Sequence, residues 1–229
     1  ETKEKHVIKK KQPFIMNEQE LRDIFQEAGD VFFNTSTFCP KSPVKVTLAG
    51  CDGMVDLELL NQIVIDRLNE FFEEYNGEQL TKENIAQCLH LPQLEEVSSE
   101  ERMIADIYCG KLLIFFHDGP YLFVTNISHR PQRTPEDTMT EVTIKGPRDN
   151  FIEDLSVNTA LIRKRLRTNS LYVKKFLVGK RSLTEVALLY IHDTADPKMV
   201  EMVTEKINAI DVDGIYSGNQ FIELIEKSS

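Results

Sequence analysis

The sequence predicts a mixed α/β fold of the α+β type that is divided into two subdomains. Its 229 residues are 41% hydrophobic and 28% charged, the composition of a globular chain long enough to form a core. Extended apolar runs occur along the chain together with segments of helical periodicity. The excess acidic charge is confined to the first part of the chain, which predicts a boundary between two units.

The charge boundary lies near residue 146. Residues 1–146 contain 15 Lys and Arg against 25 Asp and Glu, whereas residues 147–229 contain 12 of each, so the whole net charge of −10 lies in the first part. The polar segment 129–140 is typical of a surface linker. We predict a flexible arm over 1–16, an acidic α/β subdomain over 17–128, the linker over 129–140, and a second α/β subdomain over 141–229.

Composition and spacing argue against several classes of function. A net charge of −10 disfavours nucleic acid as a partner, since nucleic-acid-binding proteins need an excess of cations. No apolar run approaches the ~20 residues of a spanning helix, and the charged N-terminal residues do not have the pattern of a signal peptide. The 4 cysteines form no C-x-x-C pair and the 5 histidines no i, i+4 pair, so we expect no metal, no cofactor and no enzymatic activity.

The first subdomain is predicted to combine helices and strands. Asn17 and Glu20 fit a capping box, which predicts a helix from about residue 18 to Ala28. Apolar residues recur at steps of three and four from Leu57 to Tyr75, which predicts a long helix that Asp56 opens. The remaining elements are strands over 31–38 and 44–49, helices opening at Thr81 and at Ser98 or Ser99, and a hairpin of strands over 111–116 and 121–127.

The second subdomain is predicted to follow the βαββαβ order of a ferredoxin-like mixed sheet, with a further helix at the end. The run Thr184–Ile191 is nearly all apolar, which predicts a central, buried strand. The predicted elements are a strand over 141–145, a helix over 149–167, strands over 171–178 and 184–191, a helix after Asp196-Pro197, a short strand over 212–216 and a helix over 218–227.

The first candidate site is the loop between a strand and the long helix. Asp52, Gly53 and Asp56 lie there, and backbone amides at such a junction can hold an anionic group. The alternative is structural: Gly53 makes the turn and Asp56 caps the helix.

The second candidate site is the start and the end of the helix predicted over 149–167. Its start carries Gly146, Pro147, Arg148 and Asp149. Its end carries the basic residues Arg163, Lys164, Arg165 and Arg167, which form a possible docking patch for an acidic partner or anionic lipid. The alternative is that acids at the start and bases at the end only complement the helix dipole. Neighbouring residues point in different directions on a helix, so the basic residues cannot all join one surface.

Several of these motifs resemble one family. Asp52-Gly53-Met54-Val55-Asp56 is similar to its D-G-L-V-D motif, and Lys111–Val124 is similar to its G-x-x-L-x-x-x-D-G hairpin. The stretch Glu141–Leu155, continued by Asn158, Leu161, Ile162, Arg163, Lys164, Arg165 and Leu166, resembles its GPR-x-x-F-x-E-D-L…N-x-x-L-I-R-R-R-L signature. The chain is identified by these residues as a member of the GerA family, the A subunits of bacterial spore germinant receptors.

The resemblance implies more than a fold. Family members continue into membrane helices, so the chain is expected to be the N-terminal domain of such a subunit, on the cytoplasmic side of the spore inner membrane. The implied partners are the B and C subunits of the same receptor and other A subunits, and no catalytic residues are carried over.

Three functions follow as hypotheses. The first is a regulatory and assembly module that takes part in triggering germination by nutrients. The second is direct binding of a small nutrient in a crevice between the subdomains, with Asp52, Arg148 and Asp149 as the first polar groups to test. The third is a scaffold that contacts an anionic membrane surface through the basic helix end.

Overall fold

The computed structural model describes residues 14–39, 42–75, 79–129 and 154–227. These residues form the α+β fold that the sequence predicts, with a five-stranded sheet and a two-stranded sheet flanked by helices. No helix within these four ranges is long and apolar enough to cross a lipid bilayer. We call residues 14–129 the N-terminal unit and residues 154–227 the C-terminal unit.

The sheet of the N-terminal unit contains β1 (Val31–Phe38), β2 (Val44–Cys51), β3 (Glu95–Glu96), β4 (Leu112–Phe116) and β5 (Tyr121–Thr125). The strands lie in the order β1-β2-β4-β5-β3, and every neighbouring pair is antiparallel. β4 is central and all of its residues are buried. A strand that is covered on both faces needs a continuous apolar sequence, which Leu-Leu-Ile-Phe-Phe supplies.

Helices cover both faces of this sheet. They are α1 (Glu18–Ile24), α2 (Leu57–Leu59), a π-helical segment (Leu60–Ile65), α3 (Asp66–Glu74), α4 (Lys82–Cys88) and α5 (Glu100–Ile107). Phe116 of β4 belongs to one core cluster together with Leu68 of α3. Phe115 belongs to a second cluster together with Leu21 of α1. Adjacent strand residues point to opposite faces, so β4 supplies both cores.

The capping residues fix the helix starts as predicted. Asn17, Asp56, Thr81 and Ser99 each accept a hydrogen bond from the first turn of the helix that follows. α1 ends at Ile24 rather than at Ala28, because Ala28 instead pairs as an isolated parallel bridge with a strand of the C-terminal unit. The helical run after Asp56 ends at Glu74, in agreement with its apolar periodicity.

The C-terminal unit contains α6 (Leu155–Arg165), β6 (Leu171–Val178), β7 (Thr184–Ile191), α7 (Pro197–Asn208) and α8 (Gly218–Lys227). β6 and β7 form an antiparallel hairpin with the predicted bounds. The predicted strand over 141–145 lies outside the described residues, as does the linker beyond residue 129. Asp154 is the N-cap of α6, so the described helix begins at Leu155.

Two expectations for this unit are wrong. β7 is mostly half-buried rather than buried, because within the described ranges it pairs with β6 alone. Residues 212–216 form no strand. The carbonyl of Val212 instead accepts a hydrogen bond from the Lys180 amide at 2.9 Å, and the carbonyl of Asp213 accepts one from the Arg181 amide at 2.8 Å. The segment is therefore held by the β6–β7 turn instead of by a strand edge.

Candidate functional site

The described residues of the two units meet along a contact surface that we call the seam. Its main residues are Ile24, Glu27, Ala28, Gly29, Asp30, Asp52, Gly53 and Tyr108 on the N-terminal unit, and Ser156, Ala160, Arg163, Asn169, Val173 and Lys175 on the C-terminal unit.

A buried ion pair lies at the centre of the seam. Asp30 lies immediately before β1 and Arg163 lies on α6, and both side chains are 0% exposed. The Arg163 Nε and Nη2 atoms donate to Asp30 Oδ2 and Oδ1 at 2.8 and 2.7 Å, and Nη1 donates to the Thr168 carbonyl at 2.9 Å. This bidentate geometry is the strong form of an arginine–carboxylate interaction, and it satisfies two charges that water does not reach.

The surroundings keep Arg163 charged. Burial by itself would lower the pKa of Arg163, but the hydrogen bonds and the negative charge of Asp30 outweigh it, so the pKa lies above its ordinary value. The guanidinium carbon lies 4.1 Å from the centroid of the Tyr108 ring, a cation–π contact. Burial raises the pKa values of the Tyr108 hydroxyl and the Cys51 thiol, so both remain protonated.

Further hydrogen bonds cross the seam. Tyr108 Oη donates to Asn169 Oδ1 at 2.8 Å, and Asn169 Nδ2 donates to the Ile24 carbonyl at 2.7 Å. The Gly29 amide donates to the Val173 carbonyl at 2.9 Å, while the Val173 amide donates to the Glu27 carbonyl at 3.0 Å. Ala28, in the turn after α1, therefore pairs with Val173 of β6 as an isolated parallel bridge.

The loop after β2 belongs to the same contact surface. Asp52 Oδ2 lies 2.6 Å from Lys175 Nζ of β6. Gly53 has a φ of +71°, and a Cβ at this position would lie 2.7 Å from the Ser156 carbonyl oxygen of α6. Only glycine fits both this backbone conformation and this close approach. Gly53 makes the turn, as the structural alternative predicted, and it also lets α6 pack against the loop.

Asp56 caps the helix that follows. Its Oδ1 accepts hydrogen bonds from the Glu58 and Leu59 amides, both at 3.0 Å, and its own amide donates to the Ile127 carbonyl at 2.9 Å. His129 Nδ1 lies 3.6 Å from Asp56 Oδ2. The hydrogen bond from the Leu59 amide is the largest of the effects that lower the pKa of Asp56 below its ordinary value.

Asp56→Ala is expected to lower the free energy of unfolding by about 1 kcal/mol at neutral pH, because the cap is lost. Asp56→Asn retains an acceptor and should cost less. Because folding lowers the pKa of Asp56, the wild-type protein is expected to be more stable than Asp56→Asn above the unfolded-state pKa of about 3.9. This difference in the free energy of unfolding is lost as the pH falls through the lower folded-state pKa. Urea unfolding of the three proteins between neutral and acidic pH measures this. A wild-type advantage that persists in strong acid would contradict the assignment.

The basic helix end does not form one patch. Arg163 cannot belong to a docking surface because it is fully buried, whereas Arg165 and Arg167 are exposed. Arg167 Nη1 lies 3.5 Å from Cys109 Sγ, and its Nε donates to the Lys164 carbonyl at 3.2 Å. The other predicted residues, Gly146, Pro147, Arg148 and Asp149, lie outside the described residues. Within the described ranges no group of three or more His, Cys, Asp or Glu side chains could hold a metal ion.

The fold and the seam define a class of protein: an α+β module in which a buried ion pair joins two structural units. Residues 19–229 match the model of the Bacillus/Clostridium GerA spore germination protein family, and the chain belongs to this family.

Relatives in this family are longer than the chain. It is 34% identical to spore germination protein XA of Bacillus anthracis over 92% of the chain and 43% of that protein. It is 37% identical to stage V sporulation protein AF of Bacillus subtilis over 57% of the chain and 27% of that protein. The chain thus spans less than half the length of these two relatives.

A solved structure shares the fold. The crystal structure of the N-terminal domain of the A subunit of the Bacillus megaterium spore germinant receptor GerK3 matches with a TM-score of 0.62. The match covers 93% of the chain and 81% of that domain at 18% sequence identity. It confirms the predicted α+β class.

Proposed function

We propose that the chain is a regulatory and assembly module of a multi-subunit, membrane-bound nutrient receptor that triggers spore germination. Spore germination and sporulation proteins are among its relatives, and one structure that shares its fold is a domain of a germinant receptor A subunit. The proposed partners are the B and C subunits of the same receptor and further A subunits. The proposed location of the whole protein is the spore inner membrane, with this module on the cytoplasmic side.

The observation that carries the proposal is the buried Arg163–Asp30 pair. Two opposite charges are stable in contact with each other away from water, or apart from each other when water hydrates both of them. An intermediate state in which the two charges are separated but not hydrated has a high free energy. In this proposal the two units have a closed arrangement, in which the pair is buried, and an open one, in which both charges are hydrated, and a partner subunit that binds one of them better shifts the equilibrium between them.

The other two functions have less support. In the nutrient-binding hypothesis Asp52 was a first contact, but its carboxylate is already paired with Lys175. The membrane-surface hypothesis relies on four basic residues at the end of α6. Arg163 is buried and cannot contact a membrane, whereas Lys164, Arg165 and Arg167 are exposed.

The test is germination of spores that carry seam variants of the full-length protein. Arg163→Met should slow nutrient-triggered germination by about 10-fold or more. Coupling free energies between two sites of a protein are typically about 1–3 kcal/mol, which corresponds to changes of about 5–150-fold in equilibrium affinity. Lys164→Met, on the exposed side of the same helix, is the matched control and should germinate as wild type does. The fall in optical density after addition of nutrient gives the rate, and a trigger that bypasses nutrient receptors checks that the spores are competent.

Immunoblots of the A subunit and its partner subunits separate signalling from assembly. Loss of the partner subunits together with Arg163→Met supports a role in assembly, and normal levels with slow germination support a role in signalling. If Arg163→Met does not accumulate, Lys175→Met removes the half-exposed pair to Asp52 without leaving a buried charge. The proposal is overturned by a normal nutrient response in spores with normal levels of Arg163→Met or, where that variant does not accumulate, of Lys175→Met.

A further inference from the structure

A groove of about 520 Å³ lies between the β6–β7 hairpin and α7 of the C-terminal unit, and Glu27 of the N-terminal unit also lines it. Its volume falls within the range of small-molecule sites. The hairpin contributes Tyr172, Lys174, Tyr190 and, just beyond β7, His192. Carboxylates of α7 and of the turn after α1 line the same groove.

Two aromatic side chains form a corner of the groove. Tyr172 and Tyr190 are cross-strand neighbours, with ring centroids 5.5 Å apart and ring planes at 65°. The His192 ring stacks on Tyr172 at 4.5 Å with an interplanar angle of 11°. The faces of aromatic rings carry partial negative charge and attract cations. Lys174 Nζ already lies 5.7 Å from the centroid of Tyr190, so one of these rings has a cation near its face.

Carboxylates complete the groove. Glu201 and Glu205 lie one turn apart on α7, and Glu27 reaches the groove from the turn after α1. None of these three carboxylates forms an ion pair with another residue in the described part of the chain, whereas Lys175 of β6 is paired with Asp52. Against three carboxylates the groove holds one ammonium group, that of Lys174. The net negative charge of the groove therefore favours the binding of a second cation.

We propose that this groove binds a small organic cation, an alkylammonium ion that lies against the Tyr172–Tyr190 corner while Glu27, Glu201 and Glu205 balance its charge. The combination of aromatic walls and unpaired carboxylates is the chemistry by which proteins recognise alkylated ammonium groups. The proposal goes beyond the proposed function and does not depend on it, because neither Arg163 nor Asp30 lines the groove.

The test is an NMR titration of the ¹⁵N-labelled 229-residue chain with tetramethylammonium chloride. We expect saturable shifts of the Tyr172, Tyr190 and His192 amides. Sodium chloride at the same ionic strength and tert-butanol, a neutral molecule of similar shape, should not produce them. Tyr190→Leu keeps apolar bulk but removes the ring, and should weaken binding by about 5-fold or more. Tyr216→Leu changes an exposed tyrosine that does not line the groove and should have no effect.

A second variant keeps the proposal testable if Tyr190→Leu disturbs the hairpin. Glu201→Gln with Glu205→Gln changes two exposed side chains of α7 and should also weaken binding while leaving the rest of the spectrum unchanged. The proposal is overturned by the absence of saturable shifts at tens of millimolar probe, by equal shifts with tert-butanol, or by unchanged affinity in both variants.

Discussion

Arg163→Met is expected to lower the free energy of unfolding by about 3–5 kcal/mol, because it leaves the Asp30 carboxylate buried without its partner. The variant also loses the contact of the guanidinium with the Tyr108 ring and the hydrogen bond to the Thr168 carbonyl. Methionine retains only the unbranched apolar stem of the side chain, so the measured loss combines the unpaired Asp30 charge with the lost contacts of the guanidinium. Equilibrium unfolding in urea, followed by circular dichroism, gives the value.

Two further variants make this result specific to the ion pair. Lys164→Met, one residue along α6 and exposed, should change the free energy of unfolding by no more than about 0.5 kcal/mol. Asp30→Leu combined with Arg163→Met should recover most of the loss, because a packed apolar pair can replace a buried ion pair at little cost. A single Arg163→Met variant as stable as wild type would show that Asp30 does not depend on Arg163.

Gly53→Ala is expected to be the second most damaging change, at about 3 kcal/mol. A residue with a side chain is strained at a φ of +71°, and the added Cβ would lie 2.7 Å from the Ser156 carbonyl oxygen and 3.2 Å from the Ala160 Cβ. The carbonyl belongs to a helix backbone, so α6 as a whole has to move away from the loop. The same urea experiment measures the loss.

Gly218→Ala is the matched control for this glycine. Gly218 opens α8, and a Cβ there would meet nothing within 4 Å. Alanine has a higher helix propensity than glycine, so this variant should be as stable as wild type or slightly more stable. If Gly53→Ala proves equally harmless, the close approach of the loop to α6 is not a feature of the protein in solution.

Local signals predicted most of the elements. The strands β1, β6 and β7 have the predicted bounds, since turn residues punctuate the apolar runs on both sides. A side chain that caps its own helix, such as that of Asp56, contacts backbone amides only a few residues away, so the cap can be predicted from sequence spacing alone. The burial of β7 was not predictable in this way. An apolar run shows that a strand can be covered, whereas coverage depends on which strands pair with it.

The candidate site was harder to predict because its partners are distant in sequence. Arg163, Lys164 and Arg165 are alike as a sequence cluster, and only their places on the helix separate the buried residue from the exposed ones. One signal was present: Thr159, Ala160 and Arg163 lie three and four residues apart, and the two smaller ones let α6 approach its neighbour closely. Nothing in the sequence near Asp30 identified it as the partner of Arg163, since that pairing arises only from the packing of the two units.

Hydrogen exchange at the seam tests most directly whether the Arg163–Asp30 pair holds the two units together. The amides of Gly29 and Val173, which donate across the seam, are predicted to lose at least about 10-fold of their protection in Arg163→Met and to keep it in Lys164→Met. Wild-type protection at Gly29 and Val173 in Arg163→Met, or an equal loss in Lys164→Met, would contradict this account.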